Sequence, residues 1–160
     1  MQNYQRAYLP EVETVEIPMF SPVDSSTVYE RSKETQQFVD DLEAYQANCD
    51  YKNMNKAASK LIGVEFDNVE FWLALAESMI WHFHPLTALN TLGSIRFLFP
   101  LNARVYFLKA KCYALIGQLE SSFKELDYAF DRDPAYVQVA ENDPQMYFVL
   151  SMKARKAGAE

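Results

Sequence analysis

One pattern, written twice at a fixed distance, constrains this chain more than any other feature. Trp72, Leu75, Ala76, Met79, Ala88, Leu92, Ile95 and Pro100 are matched 34 positions later by Tyr106, Lys109, Ala110, Tyr113, Ser122, Leu126, Ala129 and Pro134, with no insertion or deletion between the copies. Self-similarity at such a period is the mark of a stacked array, because one unit of this size cannot bury its apolar face alone. The chain therefore reads as a repeat protein.

Moving the frame back by the same interval places Phe38 at the position of Trp72, Leu42 at Ala76, Tyr45 at Met79, Ala58 at Leu92 and Leu61 at Ile95, with Tyr51 in the turn and Phe66 where the closing proline stands. Three contiguous repeats follow, at residues 35–68, 69–102 and 103–136. Each predicts a pair of antiparallel helices. Asp67 or Asn68 caps a helix from about Val69 to Phe83, and Pro85 starts the next, which ends before Pro100. Asn102 caps a helix from Ala103 to Ile116, with Gly117 as the permissive residue at its end, and Leu119 to Asp131 completes the pair. Ala76, Ala88, Ala110, Ser122 and Ala129 are short where two helices must approach closely.

The flanks differ in kind. Residues 1–24 hold Pro10, Pro18 and Pro22, too dense for a stable helix, around the half-alternating stretch Glu11 to Ile17. This is expected to be an extended N-terminal arm. Its Leu9, Val12, Val15, Ile17, Met19 and Phe20 are too apolar for a solubility tail, so it is expected to dock. Ser25 or Ser26 can cap a first helix running through Tyr29, Phe38, Val39, Leu42 and Tyr45, which opens a domain over residues 25–158. Asp133-Pro134 and Asp143-Pro144 each look like a cap followed by a first-turn proline. The second opens a C-terminal helix over about 144–157, with Lys153, Arg155 and Lys156 in its last turns.

The period, and the residues Trp72, Leu75, Ala76, Ala88, Pro100, Tyr113, Gly117, Ala129 and Pro134, make the chain resemble the tetratricopeptide repeat family, with departures at Lys109 (Leu in the family) and Ser122 (Ala in the family). The resemblance implies an all-α fold, a right-handed superhelix (α-solenoid) of three helix pairs with a C-terminal capping helix. It also implies that the first helix of each pair lines a concave groove where a protein or peptide segment binds. Carried over position by position, that groove takes Val39 and Glu43 from the first repeat. The second gives Leu73, Glu77, Ile80 and Trp81, and the third Arg104, Phe107, Lys111 and Leu115. The family's clamp for C-terminal carboxylates would fall on Val39, Glu43, Ala74, Arg104 and Leu108, of which only Arg104 fits, so that function is rejected. In architecture, size and acidity the chain is also similar to class II chaperones of type III secretion systems. That similarity implies a bacterial cytoplasmic chaperone holding apolar segments before export. Pro18-Met19-Phe20-Ser21-Pro22 resembles the segments such chaperones bind, so the arm is expected to occupy the groove of its own or a neighbouring copy, the latter giving a homodimer.

Charge and composition narrow the classes further. A formal net charge of −7 argues against nucleic acid, which needs a basic footprint, and against anionic membrane surfaces. No stretch is apolar and long enough to span a bilayer, since the longest one without a formal charge, Ser78 to Ile95, includes Pro85, Asn90 and two histidines. Two cysteines, Cys49 and Cys112, suggest neither a disulfide framework nor a metal, and fit a reducing, cytoplasmic location. His82 and His84 stand two apart on a helix end and point to different sides, which suits packing better than metal ligation. Without a Gly-rich phosphate loop or a nucleophile beside a base, the expectation is a non-catalytic, cofactor-free binding protein. The alternative is a fixed structural subunit or assembly factor of a larger complex.

Overall fold

The structure is a computed structural model that describes residues 31–159. The N-terminal arm and the proposed start of the first helix at Ser25 or Ser26, with Tyr29, lie outside the described residues. Within them the chain is all-helical: α1 Lys33–Ala47, α2 Tyr51–Ile62, α3 Val69–Trp81, α4 Pro85–Ile95, α5 Ala103–Leu115, α6 Leu119–Arg132, α7 Tyr136–Asn142 and α8 Pro144–Ala157. The first of these starts later than Ser25 or Ser26 would place it, because Ser32 is the capping residue, its Oγ accepting from the Thr35 N–H at 3.1 Å.

Local chemistry sets the other boundaries. Asn68 caps α3 through the Glu70 N–H at 3.2 Å, and Asn102 caps α5 through the N–H groups of Arg104 and Val105. Pro85 and Pro144 occupy first-turn positions, where a missing N–H costs nothing. Asp133 does not cap a helix at Pro134. Its Oδ1 accepts from the Ala135 N–H at 3.0 Å within a turn, and the short α7 begins one residue later.

Three connections, between α1 and α2, α3 and α4, and α5 and α6, have the same length and the same closure. Cys49 (φ 54°), Phe83 (φ 59°) and Gly117 (φ 79°) stand 34 apart in left-handed conformation. The N–H that follows each reaches back into its helix at 2.9 Å, from Asp50 to the Tyr45 carbonyl, His84 to Met79 and Gln118 to Tyr113. This is the six-to-one bond of a Schellman cap, which satisfies orphan carbonyls and reverses the chain within three residues, so neighbouring helices run antiparallel. At the other end the Trp72 indole N–H donates to the Phe66 carbonyl at 2.6 Å. One period on, the Tyr106 hydroxyl donates to the Pro100 carbonyl at 3.0 Å. Each large aromatic thus fastens the loop that precedes its own helix.

Each helix from α1 to α6 packs on the next, α3 also touches α5, and α8 lies against α5, α6 and α7. Ala58, Ala76, Ala88, Ala110, Ser122 and Ala129 are fully buried at the crossings, where short side chains allow close approach. Ser122 fits there because its hydroxyl donates to the Ala110 carbonyl at 2.9 Å. The core is in two parts, one under α1 to α3 and one running from α3 to α8. Trp72 and Met79 pack against both.

Candidate functional site

The residues expected to line a groove divide into two sets. Trp81 is 51% exposed and Leu115 is 41% exposed, both at helix C-terminal ends, and Glu43 is exposed on α1. Val39, Leu73, Ile80 and Phe107 are core residues, and that corrects their expected role as open pockets. For Phe107 part of the cause is the C-terminal segment, while Leu73 and Ile80 lie on α3, which packs on α2, α4 and α5. Tyr136 at the start of α7 sets its ring against Phe107 (centroids 5.4 Å apart, planes at 56°), and Leu73, Ile80 and Phe107 share one apolar cluster with Met146 and Val149 of α8. Val39 is covered separately, in the cluster under α1 to α3.

Of the polar members of the set, Glu77, Arg104 and Lys111 are tied to one another or to the same segment. Arg104 donates from Nη2 to Glu77 at 2.7 Å and reaches Glu70 at 3.4 Å. Lys111 Nζ is 2.6 Å from Asp143 Oδ2, while Oδ1 of the same carboxylate caps α8 through the N–H groups of Gln145 and Met146. Burial works against ionising Asp143, but the Lys111 hydrogen bond and the two backbone donors outweigh it and hold its pKa below the ordinary carboxylate value.

What stays open is an aromatic platform. Trp81 stacks on Tyr51 at 5.1 Å with planes 9° apart, and the Lys111 ammonium stands 5.9 Å from the Trp81 ring. Tyr51 is the first residue of α2 rather than a turn residue. Its hydroxyl is pushed up to about 12, first by a hydrogen bond with Cys49, then by burial, and then by the charges of Cys49 and Glu77. The platform therefore offers a neutral stacked pair with a cation at one side and the Glu77–Arg104 pair below it on α3 and α5.

Sequence reasoning overlooked Tyr51, Tyr136 and Asp143 as parts of this face. Asp143 carried a signal as a helix cap, but its second oxygen could not be assigned to Lys111, 32 residues away. A second region was also missed. Arg96, Phe97, Pro100, Tyr106, Tyr128 and Arg132 surround a shallow cavity of about 310 Å³ at the end of the molecule that holds the α4–α5 loop. There the Arg132 guanidinium lies 3.9 Å over the Tyr106 ring and donates from Nε to the Pro100 carbonyl at 2.6 Å. Its spacing to the loop it fastens, from α6 back to Pro100, exceeds any local pattern.

His82 and His84 are both exposed, and the backbone N–H of each closes the turn after α3. Among the described residues, no three His, Cys, Asp or Glu side chains gather as a metal-binding group. No helix of the described residues is long and apolar enough to cross a membrane. No protein-family model matches the chain, and no curated protein matches it significantly.

Proposed function

We propose that this chain is a helical-repeat protein of the tetratricopeptide kind that acts by binding another protein, without catalysis of its own. The three equivalent turns at Cys49, Phe83 and Gly117 and the two aromatic-to-loop bonds of Trp72 and Tyr106 support three stacked helix pairs. The helix pair α7 and α8 closes the array at its C-terminal end. The observation that carries the binding role is the Trp81–Tyr51 stack: a half-exposed tryptophan held rigid by a parallel ring, with a cation beside it, is the kind of anchor on which binding energy concentrates.

The partner segment this face suits is extended and apolar or aromatic. It would place one side chain on Trp81 and Leu115 and polar groups toward Glu43, Glu77 and Arg104. A cytoplasmic chaperone or adaptor, including one that serves secretion, is the role this reading favours. Because Leu73, Ile80 and Phe107 are buried, the proposed contact is shallower than a groove lined by all ten expected residues. A fixed subunit of a larger complex is the second reading, favoured by exposed Val137, Val139, Tyr147 and Phe148 on α7 and α8.

The test is capture of partners from the native host by the full chain and by Trp81→Ala, with helix content checked by circular dichroism. The proposal expects a reversibly bound protein that is lost with Trp81→Ala while the fold persists. Equal capture by both proteins would defeat it, and a chain that is insoluble without a co-purifying mate would favour the fixed-subunit reading.

A further inference from the structure

A further group of exposed apolar side chains gathers at the opposite end of the helices from Trp81. Phe97 is 75% exposed and Leu101 78% exposed in the α4–α5 loop, and Val64 and Phe66 are exposed in the α2–α3 loop. Consecutive antiparallel helices bring both loops, the start of α1 and the end of α6 to this one end. Two contacts fix that placement. Arg31 grips Glu65 with two bonds of 2.7 and 3.0 Å, and Arg132 bonds the Pro100 carbonyl. The Phe97 side of this edge carries positive charge from Arg96 and Arg132, whereas Glu70 and Asp133 lie beside Leu101. The Arg96 guanidinium lies 4.9 Å over the Phe97 ring, and among the described residues neither Arg96 nor Arg132 has a carboxylate within ion-pair distance.

We propose that this edge is the docking site of the chain's own N-terminal segment, with Glu11 to Ile17 lying extended across the α4–α5 loop. Three observations select that occupant. Arg31 is anchored at this end, so the thirty residues before it emerge beside the patch. Charge is complementary at the Phe97 side, because those thirty residues hold a single cation, Arg6, against Glu11, Glu13, Glu16, Asp24 and Glu30. The pattern fits as well. In an extended chain alternate residues share a face, which puts Glu11, Glu13, Val15 and Ile17 on one side. Two carboxylates and two β-branched apolar residues on one side suit a surface that sets Arg96 and Arg132 around Phe97.

Reach is sufficient. From Ile17 to Arg31 an extended chain spans up to roughly 46 Å at ~3.3 Å per residue. The two loops are separated by two helix widths, about 20 Å. Docking there would cover the apolar edge and leave the Trp81 face free, so the proposal stands apart from the function proposed above and can fail without it.

Paramagnetic broadening in the full chain tests the contact. With Cys49→Ser removing the exposed thiol, a nitroxide on Thr14→Cys reports where the segment lies, since Cys112 is buried and inert. Amide signals of residues 96–99, 101 and 128–132 are expected to lose intensity. Arg96→Glu should restore them with circular dichroism unchanged, and Glu11→Arg combined with Arg96→Glu should bring the loss back. Broadening centred on Trp81 and Leu115, or none at any site, overturns the proposal. So does broadening that survives Arg96→Glu, or that appears only when labelled and isotope-enriched molecules are mixed, which would assign the edge to a second copy.

Discussion

Lys111 on α5 and Asp143 at the head of α8 are joined at 2.6 Å, and this bond ties the start of the C-terminal helix to α5. Asp143 serves twice, as a cap and as an ion-pair partner. Asp143→Ala removes both and is expected to destabilise the fold by about 2 kcal/mol, about half from the cap and the rest from the partly buried pair. Asp143→Asn keeps the cap and should lose only about 1 kcal/mol. Denaturant melts give the two values. Hydrogen exchange should show α8 loosening first in Asp143→Ala, with Phe107 and Tyr136 becoming accessible.

The three equivalent turns carry a second prediction. Left-handed backbone suits Gly117, but Phe83 adopts it against the steric preference of a bulky residue while its side chain is 82% exposed. Phe83→Gly should therefore raise stability by about 0.5–1 kcal/mol, because strain is removed and little packing is lost. Gly117→Ala should lower it by about 1 kcal/mol, although no atom lies within 4 Å of the added methyl, so the cost is conformational. A loss of stability in Phe83→Gly, or no cost in Gly117→Ala, would mean that the left-handed residues are not the strained element of these turns.

Much of this architecture can be read from the chain, and the limit of what can be read is physical. Helix ends depend on neighbours two or three residues away, so Asn68, Asn102, Pro85 and Asp143 announce them. The period of 34 aligns Cys49 and Phe83 with Gly117, yet only the glycine advertises a left-handed turn. Which side of a helix ends up covered depends on where a distant element folds back. Phe107 looks like a groove residue until Tyr136 and α8 lie on it, and no local spacing encodes that return. The positions carried over from the family resemblance include Val39, Leu73, Ile80 and Phe107, which are buried, so they overstate how much surface is open. Ser122 and Lys109, departures from the family pattern, are explained only by partners brought close through folding, the Ala110 carbonyl and Glu125.

That last pair supports a third prediction. Lys109 Nζ meets Glu125 Oε1 at 2.5 Å with both side chains buried, and the other carboxylate oxygen of Glu125 is buried without a hydrogen-bond partner. The equivalent positions one repeat earlier are Leu75 and Thr91. Breaking such a pair from one side strands a charge, so Lys109→Leu alone should cost about 3 kcal/mol. Lys109→Leu with Glu125→Met should recover all of that or more, since an apolar pair of similar volume avoids desolvating two ions. A double-mutant cycle of denaturant melts separates the outcomes.

The two thiols should differ sharply in reactivity. Cys49 is exposed in a turn, whereas burial pushes the Cys112 thiol up to about 12, so almost none of it is thiolate at neutral pH. A thiol reagent at pH 8 is expected to modify Cys49 at once and Cys112 only at the rate of unfolding. Modification of Cys112 then reports global opening, and any variant that loosens α5 should speed it. Fast reaction of both thiols in the folded protein would contradict the packing around Cys112.

Acid sensitivity should centre on Glu65, a carboxylate only 2% exposed between α2 and α3. The Arg31 guanidinium bonds it through two nitrogens, burial opposes its charge, and Asn68 adds a further donor; the balance holds its pKa below the ordinary value of 4.5. Arg31 is shifted the other way, upward, by the same bond. A carboxyl group whose folded pKa is depressed contributes stability that is fully present above its unfolded value and is lost as pH falls through the folded one. Neutral stability should thus include this term, and melting temperature should begin to drop as pH falls past about 4.5 and continue below it. Arg31→Ala, which leaves the buried carboxylate with Asn68 alone, is expected to cost about 2 kcal/mol at pH 7. It should cost much less at pH 3, where Glu65 is closer to neutral. Glu65→Gln should flatten the acid limb of the stability profile. A profile unchanged by Glu65→Gln would shift the acid response to Asp143, the other carboxylate held below its ordinary value among the described residues, and would remove Arg31 as the clasp that fixes the entry to α1.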